Sequence, residues 1–345
     1  MAYPCSHEID FKGGILRVGQ MAHAVDIRLS DMFDAAEHAA RCLVLTSQAD
    51  QRAARRRDRE ILLLAPRICV RAVYWRKLGP KQKVIHLARA LAEIHPGWMF
   101  THTTAAVLHG LYVSYADIQK DGKPLLHVLG KSETLVYPEF TVKSGLFLPE
   151  IRVKKQVLGV PAADAMTTAL ECACSLTFPK ALAIADSADR FYGLGRGAML
   201  SVIEQCGRGL RGIKTARRAF SHANPASENG GESVARGVMI EEGFQEPLVQ
   251  VPVIDCIDGE EYRTDFAWTD GANTIAFGEL DGQEKLLNEE MRAGRSVAHA
   301  VRDERLRESR LTINGVKVVR FTMEIVENRQ AFTNLLDAYG IPRVR

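Results

Sequence analysis

Four carboxylates in the last third of the chain have the types and spacing for metal-assisted hydrolysis: Glu232, Asp265, Glu279 and Asp281. Side chains alternate between the two faces of a strand, so Glu279 and Asp281 share one face with Ile275 and Phe277. Carboxylates that extend an apolar inner surface are costly unless they are paired or bind a cation. A Mg²⁺-type ion takes oxygen ligands and keeps open water positions, which a small carboxylate cluster provides. Such an ion lowers the pKa of a bound water and stabilises the charge on a phosphate under attack. Each acid also has a structural alternative. Glu232 could complete a capping box with Asn229. Asp265 could pair with Arg263 or with an arginine in 302–310, and Asp281, before Gly282, could shape a turn. Glu279 is the hardest to explain structurally, because it precedes the turn and faces inward.

A second set of residues suits a polyanion. Arg52, Arg55, Arg56 and Arg59 fall at spacings of three and four, so a helix would project them from one side. Five arginines beside a hairpin form a phosphate-binding footprint; the bland reading is a solvated basic helix. His102 and His109, seven apart on one helical face, could form a metal pair but lack a third ligand, and packing explains them as well.

The elements that must position these residues can be traced along the chain. Ser30 caps an expected helix through Leu29–Cys42, and the arginine helix follows. Ile61–Leu64, a turn at Pro66 and Ile68–Trp75 read as a hairpin. Helix, helix, hairpin is the order of a winged helix, with the arginines on the recognition element. A middle region then offers helices at Val84–Ile94 and Thr101–Gly110 and short strands at Leu125–Leu129, Phe140–Val142 and Glu150–Val153. Helical stretches run from Val160 onward, the last of them the basic segment Arg208–Ala223. After 221–231 the expected order is a helix at Glu232–Glu242, strands at Leu248–Cys256, Tyr262–Trp268 and Thr274–Asp281, a helix at Ser296–Arg310, a strand at Val316–Phe321 and a closing helix at Arg329–Tyr339. That is an α/β/α core. The expected fold class is α/β multidomain, with divisions at 1–83, 84–222 and 223–345.

Composition limits the classes available. The 345 residues carry 45 Lys+Arg against 42 Asp+Glu, and 46% are hydrophobic, which excludes wholesale disorder. The near-neutral total hides opposite segments: residues 52–83 carry net +9 and residues 226–345 net −8. No run of about 18 apolar residues predicts a membrane span. The N-terminus has neither a basic n-region nor an apolar h-region, so a cytoplasmic protein without a secretory signal is expected. The seven cysteines are odd in number and lack framework spacing, which predicts reduced thiols.

The last third resembles the PD-(D/E)XK nuclease superfamily, in its Vsr-like branch of the DUF559 type. The resemblance lies in GESVAR (231–236), YRTDFAW (262–268), IAFGELDGQEK (275–285), VRDERLRES (301–309) and VKVVRF (316–321). Upstream, LLLAPRICVRAVYW (62–75) and MFTHTTAAVLHGLYV (99–113) resemble AbiEi-type antitoxins, with a winged helix and a middle domain. The resemblance implies a restriction-endonuclease-like core, Asp265 and Glu279 as ligands of Mg²⁺ or Mn²⁺, and Glu232 as the helix acid that completes the site. The superfamily's lysine two residues after the strand glutamate is replaced here by Asp281; Lys285 fits the alternative position used in this branch, where its ammonium would assist the attacking water. A metal-dependent DNA endonuclease is the expectation. A non-catalytic DNA-binding regulator, paired with a partner toxin, is the rival.

Overall fold

The computed structural model describes residues 27–57, 59–129, 133–144, 153–254, 259, 261–271, 273–281 and 315–344 of a mixed α/β, multidomain protein. One unit lies within Met1–Leu108, Tyr115–Gly145 and Lys154–Ala162; the other lies within His109–Ser114, Leu146–Val153 and Ala163–Arg345.

The first unit opens with α1 (residues 27–38), β1 (Leu43–Val44), α2 (Gln48–Arg55), β2 (Ile61–Ala65), β3 (Ile68–Arg71) and α3 (Ala72–Lys77). The strands form an antiparallel sheet in the order β1–β3–β2. Leu29 and Phe33 of α1, Ala54 of α2, and Leu43, Ile61 and Cys69 of the sheet share one buried cluster. The Ser47 hydroxyl starts α2 by accepting the Asp50 N–H at 3.1 Å.

Three local expectations are corrected here. Ser30 lies inside α1, and its hydroxyl accepts from Arg71 at 3.0 Å. The arginine helix stops at Arg55, with Arg56 as its C-cap, and Arg59 lies in the turn leading to β2. The strand expected at 68–75 ends at Arg71, opposite Ile61, where β2 runs out of partners. Ala72 N–H closes on Glu60 O at 2.8 Å, and α3 then buries Trp75. Burial outweighs the β propensity of AVYW at this point.

The unit continues with α4 (Pro80–Ile94), β4 (Met99–Phe100), α5 (His102–Leu108), β5 (Gln119–Lys120), β6 (Lys123–Leu129), β7 (Leu135–Val136), β8 (Thr141–Ser144), β9 (Lys154–Val157) and β10 (Val160–Ala163). The sheet order is β7–β8–β6–β4–β10–β9, with β5 beside β6. Residues 160–163, expected to be helical, instead pair in parallel with β4 at Ala162↔Phe100. The strand expected at 150–153 falls mostly outside the described residues; β9 begins one residue later.

The second unit contains α6 (Ala165–Ser175), α7 (Phe178–Tyr192), α8 (Arg196–Cys206), α9 (Ile213–Ser221) and α10 (Gly230–Glu241). It continues with β11 (Leu248–Ile254), β12 (Glu261–Asp270), β13 (Asn273–Asp281), β14 (Lys317–Thr322), α11 (Met323–Glu327) and α12 (Arg329–Tyr339). β11, β12 and β13 are antiparallel neighbours, and β14 lies parallel to β13. The helix expected at 296–310 lies outside the described residues. Phe266, Trp268, Phe321 and Phe332 are buried with Ala235, Val238 and Met239 of α10 in one core. Each such large apolar side chain contributes roughly 1.5–3 kcal/mol on burial.

α10 sits so close to α7 that a Cβ on Gly237 would lie 2.6 Å from Pro179 Cα. Arg236, 1% exposed, donates from Nη2 to both carboxylate oxygens of Asp186 on α7 at 2.8 Å. Residues 163–222 therefore fall in the same unit as 223–345, and the division expected at 222/223 does not coincide with the boundary between units. Among the described residues, no helix is long and apolar enough to cross a membrane.

Candidate functional site

The site grows from the N-terminus of α10. Asn229 Oδ1 accepts the Glu232 N–H at 3.0 Å, and Asn229 Nδ2 donates back to Glu232 Oε1. The capping pair is thus formed, yet it accounts for only half of the carboxylate. Glu232 Oε2 accepts from Glu228 N–H at 2.8 Å and from Gln250 Nε2 at 3.2 Å. Glu232 is 3% exposed. Burial raises its pKa to about 7, with the charges of Asp265 and Glu228 adding to the effect and the Glu228 N–H and Gln250 amide opposing it.

The sheet brings Asp265 to the same place. Gln250 Nε2 also donates to Asp265 Oδ1 at 3.4 Å, and Leu280 N–H donates to Asp265 Oδ2 at 2.8 Å. Arg263, one expected partner of Asp265, reaches Glu228 at 3.5 Å, and the other expected partners, the arginines of 302–310, lie outside the described residues. The registers Val249↔Phe266 and Val251↔Thr264 place Gln250 opposite Asp265. Phe266↔Gly278 makes Glu279 the next position opposite Asp265, and Glu279 in turn pairs with Arg320 on β14. Gln250, Asp265, Glu279 and Arg320 therefore form one row across the four strands. Glu279 is 8% exposed.

Gln250 is the member of this cluster that spacing did not identify. Its φ of +52° is left-handed in the middle of a strand, a conformation that costs an L residue about 1–2 kcal/mol. The clue available in sequence was its being the lone polar residue in LVQVPVI.

Asp281 shares the face of Glu279, but an arginine occupies it. Arg320 Nε reaches Asp281 Oδ2 at 3.2 Å and its Nη2 contacts Oδ1. Asp281, expected as a metal ligand, is paired here with a parallel neighbour 39 residues away, a counter-charge that sequence spacing could not reveal. Lys285 lies outside the described residues. Among the described residues, no group of three or more His, Cys, Asp or Glu side chains could hold a metal ion. His109 is engaged by the Tyr192 hydroxyl and Ala163 O, each at 2.8 Å. His102 instead faces His127, with ring centroids 4.5 Å apart, and burial lowers their pKa values to about 4 and about 3.

In the first unit, Arg52, Arg55, Arg56 and Arg59 are all exposed. Helix geometry holds only Arg52 and Arg55, with Arg52 donating to Gln48 at 3.4 Å. Arg57 and Arg59 line a cleft of about 340 Å³ with Phe33, Arg71 and Val73. Arg71 is drawn back toward α1 by Asp34 and Glu37, at 2.6 and 3.2 Å.

No family model matches the chain, and no solved structure matches it. Two curated relatives come from Mycobacterium tuberculosis: Uncharacterized protein MT2308 of strain CDC 1551 / Oshkosh and Uncharacterized protein Rv2248 of strain ATCC 25618 / H37Rv. Each is 39% identical to this chain over 116 residues, or 34% of its length. The match spans 42% of the length of these curated relatives, and their names record no activity.

Proposed function

We propose that this chain is a metal-dependent DNA endonuclease, with a restriction-endonuclease-like core built on α10 and β11–β14 and a winged-helix region before it. The observation that carries the reading is the meeting of Glu232, Asp265 and Gln250 beside Glu279. An acid from a helix N-terminus and one from a strand share the Gln250 amide, and Glu279 holds the register position next to Asp265 on the adjacent strand. The order β1–β3–β2 behind α1 and α2 supports the winged-helix reading.

Mg²⁺ is commonly bound through one or two carboxylates and water, so Asp265 and Glu279 are a suitable donor set without Asp281. Bound there, the ion would supply Lewis-acid polarisation of phosphate and a more acidic water. The protein's own groups have separate tasks. Gln250 and the Leu280 N–H fix the two oxygens of Asp265. Glu232 keeps its proton up to about pH 7 and can hold or release it near that pH. The exposed arginines hold phosphate backbone.

Incubation with supercoiled DNA and Mg²⁺ or Mn²⁺ tests this directly: the chain should nick the DNA, and Asp265→Ala or Glu279→Ala should abolish nicking. Equal inertness of the parent chain and both variants across metals and substrates would refute the enzyme reading. The Arg320–Asp281 pair favours a second reading, a non-catalytic DNA-binding regulator that acts with a partner toxin. In that case the parent chain would prefer its own promoter in a mobility-shift assay and cut nothing.

A further inference from the structure

The basic segment 208–218 carries Arg208, Arg211, Lys214, Arg217 and Arg218 and no acid. All five are exposed, while Ala216, Ala219 and Phe220 of α9 are buried. Gly212 anchors the segment: its φ is +80°, and a Cβ there would lie 1.7 Å from Cys174 O on α6. The helix is therefore held with its basic side outward.

The cations of this segment differ from the other described cations of their unit. Arg190 and Arg196 donate to Pro225 O and Ala223 O. Arg236, Arg263, Arg320, Arg329 and Arg343 have carboxylate partners. Lys317 reaches Tyr339 O, and Lys180 is also engaged. Within the segment, Arg217 pairs with Glu204, and Arg218 lies 4.1 Å over the Phe178 ring. Arg208, Arg211 and Lys214 have no hydrogen bond, ion pair or ring contact among the described residues. An acidic unit that pairs its other described Lys and Arg side chains leaves three open along one short segment, two in the turn before α9 and one in its first turn.

We propose that Arg208, Arg211 and Lys214 form a second contact for the phosphate backbone of duplex DNA, in addition to the arginines of the first unit. This rests on the DNA-binding reading above. Phosphate contacts carry no sequence information, so the surface adds affinity and salt dependence without adding base preference.

The test is binding of the full chain to a fluorescently labelled duplex, measured between roughly 50 and 200 mM salt. The triple variant Arg208→Gln, Arg211→Gln, Lys214→Gln should weaken binding at least about tenfold. It should flatten the slope of log K against log salt by about 2–3, at about 0.9 per lost phosphate contact. The paired cations give the control: Arg329→Gln with Arg343→Gln should change affinity much less. Unfolding midpoints of all variants verify that each is folded. If the 208/211/214 variant keeps the parental affinity and slope while charge reversal at Arg52, Arg55 and Arg56 abolishes binding, the second contact is overturned and the DNA reading survives. Equal losses from both glutamine sets also overturn it, since net charge would then explain the effect. If the parent chain binds no duplex, the DNA reading fails and this inference fails with it.

Discussion

Replacing Glu232 with Gln should flatten the pH dependence of stability. The Glu232 pKa stands at about 7 in the native state, against an ordinary 4.5. Between those values the native state retains a proton that the unfolded chain has released. The resulting stabilisation is full below about pH 4.5 and is lost as pH rises through 7. The separation corresponds to about 3 kcal/mol at about 1.36 kcal/mol per pH unit. Gln keeps the size of the side chain and an oxygen for the Glu228 N–H, but it does not titrate. Urea unfolding at pH 5, 6, 7 and 8, with EDTA present and tryptophan fluorescence as the signal, gives the difference between parent and Glu232→Gln. That difference should shift toward the variant by roughly 1–3 kcal/mol across the series, allowing for context. Asp265→Asn should move the parental window to lower pH by removing a nearby negative charge. Parallel profiles with a constant offset would refute the argument, because they would mean that Glu232 is already ionised throughout.

Other perturbations test different parts of the second unit. Gly237→Ala places a methyl 2.6 Å from Pro179 Cα, and overpacking against backbone should cost about 1–3 kcal/mol in chemical denaturation. Arg236→Ala leaves Asp186 buried without its guanidinium, which should lower stability by about 3–5 kcal/mol, whereas Arg343→Ala at an exposed pair should cost less than about 1 kcal/mol. Gln250→Gly relieves a left-handed backbone yet removes the donor shared by Glu232 and Asp265. Its stability should therefore change little while nicking activity falls, and an unchanged nicking rate would separate Gln250 from the site.

The paired and unpaired charges bear on how an acidic domain would meet DNA under the proposed function. Its arginines are largely spent on carboxylates of its own fold, as with Arg236 on Asp186 and Arg320 on Asp281. Net charge therefore describes such a surface poorly. The useful quantity is which cations remain uncommitted, and among the described residues of the second unit these lie before and at the start of α9.

Sequence alone determined what depends on neighbours a few residues apart. The Asn229 cap on the Glu232 N–H spans three residues and formed as expected, as did α12 and the alternation that sets Glu279 beside Asp281 on one face, while α4 starts four residues before its expected bound. Tertiary structure decided whatever depends on partners distant in the chain. Arg320 reaches Asp281 only because β14 lies parallel to β13, and Asp186 meets Arg236 only because Gly237 lets α10 approach α7. Strand β3 ended where β2 ran out of partners, and residues 160–163 became a strand because β4 was there to pair with them. Gln250 is the sharpest case. Its chemistry comes from a backbone conformation that no local preference favours, held where two carboxylates from separate elements share one amide.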